Sequence, residues 1–418
     1  MTITEKIIAA HAGAPVVEPG QYVTVKVDVV MGNDLSTAGA IGVLRKMEAR
    51  RVFDPARIVV VLDHLVPAKD IAAASMLKSV RTWVREQGIA HFFDEGRQGI
   101  AHVVLPEQGL VGPGDLVIGG DSHSCTYGAV GCFSAGVGHT DLAGVMALGE
   151  TWLKVPASLR IVYRGTPGRF VMGKDLILAT IGRIGIDGAL YQAMEFTGPA
   201  IAAMGMSERL TICNMAIEAG AKSGIIAPDD VTLAYVSGRA KRPWTVHRSD
   251  PDARYAAEHE LDVTGMRPQV AKPFSPDNVV AVDEVAGTKL DQVFIGSCTN
   301  AKLEDLRIAA AILRGRKAHP YTRLIIIPAS TWIWQQALKE GLLEIFSDAG
   351  AAVSTPTCGA CFGGHMGILG KNEVCLSTTN RNFVGRMGDP TAQSYLANPA
   401  VAAASAIKGE ITAPEEVA

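Results

Sequence analysis

The chain has almost no excess charge, few aromatic residues and no long apolar run. Of its 418 residues, 39 are Lys or Arg and 42 are Asp or Glu, leaving a formal net charge of −3. Bulk attraction to nucleic acid or to an acidic membrane is therefore not the organising function. Single arginines can still recognise a small anion. No segment reaches the roughly 18–20 apolar residues needed to cross a bilayer. The first residues, MTITEKIIAAHAG, contain Glu5 and no basic stretch, so they read as a short amphipathic helix and not as a signal peptide. Seven cysteines are too sparse in a chain of this length for a disulfide framework. A cytosolic setting is expected, with thiols that bind metal, catalyse or pack.

What is plentiful is glycine, with 44 residues, in a composition that is 48% hydrophobic. That combination suits an α/β protein with many close strand-to-helix turns. The length calls for two to three domains. Short β-branched runs alternate with helical patterns, which implies parallel sheet covered by helices on both faces. Strands are expected at 57–64 and 115–122, and a helix at about 70–87 with Ile71, Met76, Leu77, Val80 and Val84 on one face. A second helix, capped by Thr140 or Asp141, is expected to carry Val145, Leu148 and Trp152. Lys154–Val155–Pro156 interrupts the pattern, placing a boundary near 156. A helix over GKDLILATIGRIG and one or two more before Gly220 follow, and 227–290 reads as a domain edge and long linker. Strands at 291–297 and 323–330, and helices at 303–317 and 331–346, return afterwards, with a closing helix in NPAVAAASAIKGEI. Three α/β domains are expected, over 1–156, 157–275 and 276–418.

Three cysteines stand out. Cys298 follows an apolar strand in IGSCTN, and Cys358 and Cys361 form a C-x-x-C in TPTCGACFGGH. Ligands of open α/β sheets bind beyond the carboxyl ends of strands, and helix N-termini favour anionic sulfur. Two metal readings fit: a [4Fe–4S] cluster held by three thiolates, or a zinc site completed by His365. Three unrelated cysteines is the remaining alternative. Cys125, Cys132, Cys213 and Cys375 lie in apolar or small-residue stretches and are expected to pack in the core.

Carboxylates and imidazoles adjoin at two strand ends, Asp63–His64 in VLDHLVP and Asp121–Ser122–His123 in GGDSHS; His102 lies between them in GIAHVVLPEQG. Such groups can act as acid–base partners or orienters in one crevice. GDSHS lacks the last glycine of a nucleophile elbow, and GVGHTD lacks the spacing of a nucleotide loop. Downstream, NRNFVGR gathers Asn380, Arg381, Asn382 and Arg386. Guanidinium forks bind carboxylates in bidentate fashion, so the loop is a candidate polycarboxylate clamp.

Taken in order, DHLVP, GGDSHS, GAVG, GVGHTD, IGSCTN, TPTCGAC, GGH and NRNFVGR resemble the aconitase superfamily, over nearly the whole chain. The resemblance implies three α/β/α domains around a central cluster cleft, without the fourth, swivelling domain. It implies a hydro-lyase or isomerase acting on a hydroxy-dicarboxylate, with a [4Fe–4S] cluster as Lewis acid. Cys298, Cys358 and Cys361 would be its ligands, and His365 would not. Asp63, His64, His102, Asp121, His123 and Glu195 (in MEFTGPA) would be the catalytic set. Ser122, Asn380, Arg381 and Arg386 would contact substrate. The chain ends at Ala418, soon after the expected third domain. The swivel domain, with its catalytic serine, is therefore expected on a separate small subunit. The competing class, an iron–sulfur or zinc sensor, would need a nucleic-acid surface that the charge distribution does not supply.

Overall fold

The computed structural model describes residues 1–417. The chain packs as two compact units, each assembled from discontinuous segments. The first comprises Met1–Glu95, Ala101–Arg164 and Ala189–Asp262; the second comprises Gly96–Ile100, Gly165–Gly188 and Val263–Ala418.

The first unit is built on a five-stranded sheet, in spatial order His91–Phe93, Ile58–Val61, Val29–Asn33, Leu116–Gly119, Phe133–Gly136. All its pairings are parallel. The central strands are buried throughout, which is why IVVV and LVIG are unbroken apolar runs and do not alternate. Helices close the layers. The helix Ile71–Gln87 is capped by Asp70, whose carboxylate accepts the Ala73 N–H, and it ends at Gly88 in the left-handed region. It buries Ala73, Leu77, Val80, Trp83 and Val84, and each large apolar side chain contributes about 1.5–3 kcal/mol. Ile71, expected on that face, is 87% exposed instead. The same unit holds a four-stranded sheet in the order Ser223–Ile225, Ala193–Thr197, Ser158–Arg164, Ala257–Asp262.

Three expectations need correction. The helix His139–Leu148 stops at Gly149 (φ +73°), so Trp152 is not on it. Trp152 lies on the strand Glu150–Lys154, pairs with Thr24 in an antiparallel two-stranded ribbon and rests on Tyr22 with ring centroids 5.8 Å apart. The stretch 331–346 is two helices, Thr331–Lys339 and Leu342–Asp348, because Gly341 takes φ +71° between them. The supposed linker 227–290 contains the helix Asp230–Ser237 and three strands, among them the edge strand Ala257–Asp262. Its sequence AEHELD is largely solvent-facing and offers no apolar run to read.

The second unit carries a seven-stranded sheet in the order Val279–Ala281, Gln269–Ala271, Gln393–Leu396, Val374–Ser377, Gln292–Ile295, Arg323–Ile326, Ala352–Val353. Its last five strands are parallel, and Gln269–Ala271 runs antiparallel to both of its neighbours. Phe294, Ile327, Ala360, Leu369, Cys375 and Met387 form a buried cluster beside the central strands. The closing helix Pro399–Lys408 is capped by Asn398 and buried along most of its length.

Candidate functional site

In the first unit, polar residues gather where strands of the five-stranded sheet end. Just past the strand Ile58–Val61, Asp63 Oδ1 lies 2.7 Å from His64 Nδ1. Asp63 Oδ2 accepts the N–H of Ala101 at 2.9 Å. Asp34, at the end of the neighbouring strand and fully buried, accepts the N–H groups of His64 and Leu65 at 3.1 and 2.8 Å. Its Oδ1 is also 3.3 Å from His64 Nδ1. Burial alone would lower the His64 pKa, but the Asp63 and Asp34 carboxylates outweigh it and raise it well above the usual imidazole range. The His64 side chain is 13% exposed.

The next strand end carries Asp121 as the cap of the turn Ser122–Val130. Asp121 Oδ1 lies 2.9 Å from His102 Nε2 and accepts the His123 N–H at 2.9 Å. The outer nitrogens of the two imidazoles are also engaged: His102 Nδ1 is 3.2 Å from the Tyr127 hydroxyl, and His123 Nε2 is 2.8 Å from Glu218 Oε1. The rings meet edge to face, 6.2 Å apart. Burial would raise the Asp121 pKa, but hydrogen bonds and charge from His102 and His123 hold it well below the carboxylate range. Ser122 Oγ lies 3.5 Å from His123 Nδ1. Glu195 belongs to this unit but not to this network: its carboxylate accepts from Ser249 Oγ (2.7 Å) and the Tyr255 hydroxyl (3.1 Å), and burial raises its pKa.

The second unit carries the thiols. After the strand Gln292–Ile295 the chain turns through Gly296 and Ser297 into Cys298. A Cβ on Gly296 would sit 2.5 Å from the Phe294 ring, and Ser297 takes φ +78°. Cys358 and Cys361 lie on one tight turn, closed by the Cys361 N–H to the Cys358 carbonyl at 3.2 Å. Gly359 makes this turn possible: its φ is +58°, and a Cβ there would meet Ile327 at 2.6 Å. Ser297 Oγ lies 3.7 Å from Cys298 Sγ and 3.6 Å from Cys361 Sγ. The Asn380 amide spans the same two sulfurs: Nδ2 donates to Cys298 Sγ at 3.4 Å and Oδ1 is 3.7 Å from Cys361 Sγ.

Exposure separates the cysteines into two sets. Cys298, Cys358 and Cys361 retain 6–8% accessibility, while Cys125, Cys132, Cys213 and Cys375 have none. The partly accessible set is the one a soft metal group can reach. Asn382 is tied to the Lys272 carbonyl at 2.8 Å. Arg381 and Arg386 are half-buried, and Arg386 Nε is buried with no hydrogen-bond partner among the described residues. Buried donors seldom stay unmatched, so this atom points to an anionic ligand. His365 is buried at 4% exposure in the loop after the turn.

Sequence reasoning missed Asp34, Glu218, Ser297 and Lys174. Asn33–Asp34 closes the apolar run VDVVMGN much as Asp63–His64 closes VVVLDH, so the signal for Asp34 was present. Glu218 reaches His123 across 95 residues and nothing local marks it.

The chain belongs to the aconitase family: the family model described as Aconitase family (aconitate hydratase) matches residues 5–289 and 283–409. A relative from Moorella thermoacetica, called 3-isopropylmalate dehydratase large subunit, is 59% identical over 100% of this chain and 99% of its own length. A relative of the same name from Aquifex aeolicus is 58% identical over 100% of this chain and 98% of its own length. The crystal structure of Thermococcus kodakaraensis aconitase X (holo-form) is similar in fold, with TM-score 0.51 and 12% identity over 91% of this chain and 93% of that one. The family implies an iron–sulfur cluster. Three partly accessible thiols, two of them joined through Ser297 and Asn380 and the third on the tight turn shared with Cys361, fit one.

Proposed function

We propose that this chain is the large subunit of a hydro-lyase that interconverts 2-isopropylmalate and 3-isopropylmalate through 2-isopropylmaleate, in leucine biosynthesis. The observation that carries the reading is full-length identity of 57–59% to proteins named 3-isopropylmalate dehydratase large subunit in several bacteria. A small subunit supplies the partner that this name requires, and we assign the swivel domain and its proton-abstracting serine to it.

Cys298, Cys358 and Cys361 would hold a [4Fe–4S] cluster, which when bound would supply Lewis acidity. The residues of this chain do the rest. Arg381 and Arg386 bind substrate carboxylates, with the unmatched Arg386 Nε as a preformed donor. Ser122 and Asn380 help to orient the diacid. His64, kept protonated by Asp63 and Asp34, gives a proton to the departing hydroxyl. Asp121 fixes the rings of His102 and His123, which carry the proton traffic of the return hydration. Glu195, whose pKa burial raises, serves as a further acid–base group.

The test uses the chain purified with its small subunit. Cys358→Ser is expected to abolish iron content, the visible absorbance and turnover together. Turnover without iron, or a stoichiometric zinc content, refutes the cluster reading. Turnover by the loaded large chain alone refutes the assignment of the base to a partner.

A further inference from the structure

Lys174 is an anomaly among the buried charges. It sits near the start of the helix Gly173–Ile184 and is 0% exposed. Its Nζ donates to the Thr378 carbonyl at 3.1 Å and to the Thr379 carbonyl. Among the described residues it has no carboxylate as an ion-pair partner. The other strongly buried cations do have one. Arg209 forks onto Asp229 at 2.6 and 2.7 Å, and Lys302 pairs with Asp305 at 3.3 Å. Asp175, next to Lys174 in sequence, turns its carboxylate to the N–H groups of Met172 and Gln269 and to Asn398. A buried ammonium with only neutral ligands is costly unless a negative charge lies close by.

The surroundings identify that charge. Thr378 and Thr379 run directly into Asn380, whose amide spans Cys298 Sγ and Cys361 Sγ. The Thr378 carbonyl that accepts from Lys174 also accepts from Thr299 Oγ1 at 2.7 Å, one residue after Cys298. Burial pulls the Lys174 pKa down to about 7, and the groups that oppose this most strongly are Cys298 and Cys361 as thiolates, ahead of Asp175.

We infer that Lys174 is the internal counter-ion of the iron–sulfur group, a positioning residue that holds the net-negative cluster and sets its reduction potential without touching substrate. The inference rests on the cluster reading above. Cluster potentials respond to local net charge, so removing a buried cation makes reduction harder.

The experiment compares the full-length wild-type chain with K174M, K174Q and K174R, each reconstituted with iron and sulfide. Redox titration followed by electron paramagnetic resonance gives the midpoint, and thermal melting is measured on chains with and without the cluster. In K174M and K174Q the midpoint is expected to move negative. The reduced-to-oxidised ratio at the wild-type midpoint should fall about tenfold or more, equivalent to about 59 mV for a one-electron couple. K174R should keep the wild-type midpoint. Without the cluster, K174M should melt no lower than wild type, because an unmatched charge has been removed; with it, K174M should lose iron faster. An unchanged midpoint in loaded K174M overturns the inference and leaves the cluster reading standing. Failure of both neutral variants to fold identifies a structural clamp and also overturns it. A wild-type chain that takes up no cluster brings down both readings.

Discussion

The two polar centres of this protein are built on opposite principles. In the first unit the imidazoles at the strand ends have named carboxylates: His64 has Asp63 and Asp34, His102 has Asp121, and His123 has Asp121 and Glu218. In the second unit the polar groups point at sulfur. Ser297 and Asn380 face Cys298 and Cys361, and among the described residues Arg386 Nε has no acceptor and Lys174 has no carboxylate ion-pair partner. The first centre is balanced by residues of the chain itself and is suited to holding protons in fixed places. The second has donors and a buried lysine without such carboxylate partners among the described residues. Each centre lies in a compact unit with its own packed core.

The division can be tested by perturbing one side at a time. After the loss of iron and turnover expected for Cys358→Ser, the next largest effect is on the proton side. Asp121→Asn keeps the shape but removes the charge that fixes both rings. Turnover of the reconstituted enzyme should fall about 10²–10⁴-fold, while iron content and absorbance stay at wild-type levels. A matching loss of iron would show that the centres are not separate.

A smaller effect is expected in acid. The folded-state pKa of Asp121 is depressed, so its stabilisation is fully present above the unfolded value of about 3.9 and is lost as pH falls through the folded value. Each unit of that depression is worth about 1.4 kcal/mol. Urea unfolding between neutral and acid pH should show wild type losing stability that Asp121→Asn never had. Parallel curves would mean that the histidines do not hold this carboxylate.

The smallest effect separates the two kinds of cysteine. Cys213→Ala removes a fully buried thiol and should cost about 1 kcal/mol from the small cavity left behind. Iron content should not change. A drop in iron would assign Cys213 to the wrong set.

Much of this was legible in the sequence because parallel sheets bury whole strands. Runs such as IVVV and LVIG announced themselves, and the polar residues immediately after them mark where strands end. That is why Asp63, His64, Asp121, His123 and Cys298 could be picked out. Elements without an apolar signature were not legible. Trp152 continues a helical spacing that Gly149 has already ended, and AEHELD is a charged edge strand resembling a linker. Long-range partners leave no local trace, so Glu218 was missed. Lys174 was missed for a different reason: a lysine one residue into a helix reads as a solvated side chain, and only the fold reveals its burial.

Ser297 carries a consequence for how this protein would change under selection. A serine at φ +78° is strained, and glycine there would relieve the backbone. Its hydroxyl is also what stands between two of the thiols. A laboratory population selected for heat resistance alone would drift toward glycine at 297, whereas one whose growth depends on making the product would retain serine. The identity of that single residue records which pressure has prevailed.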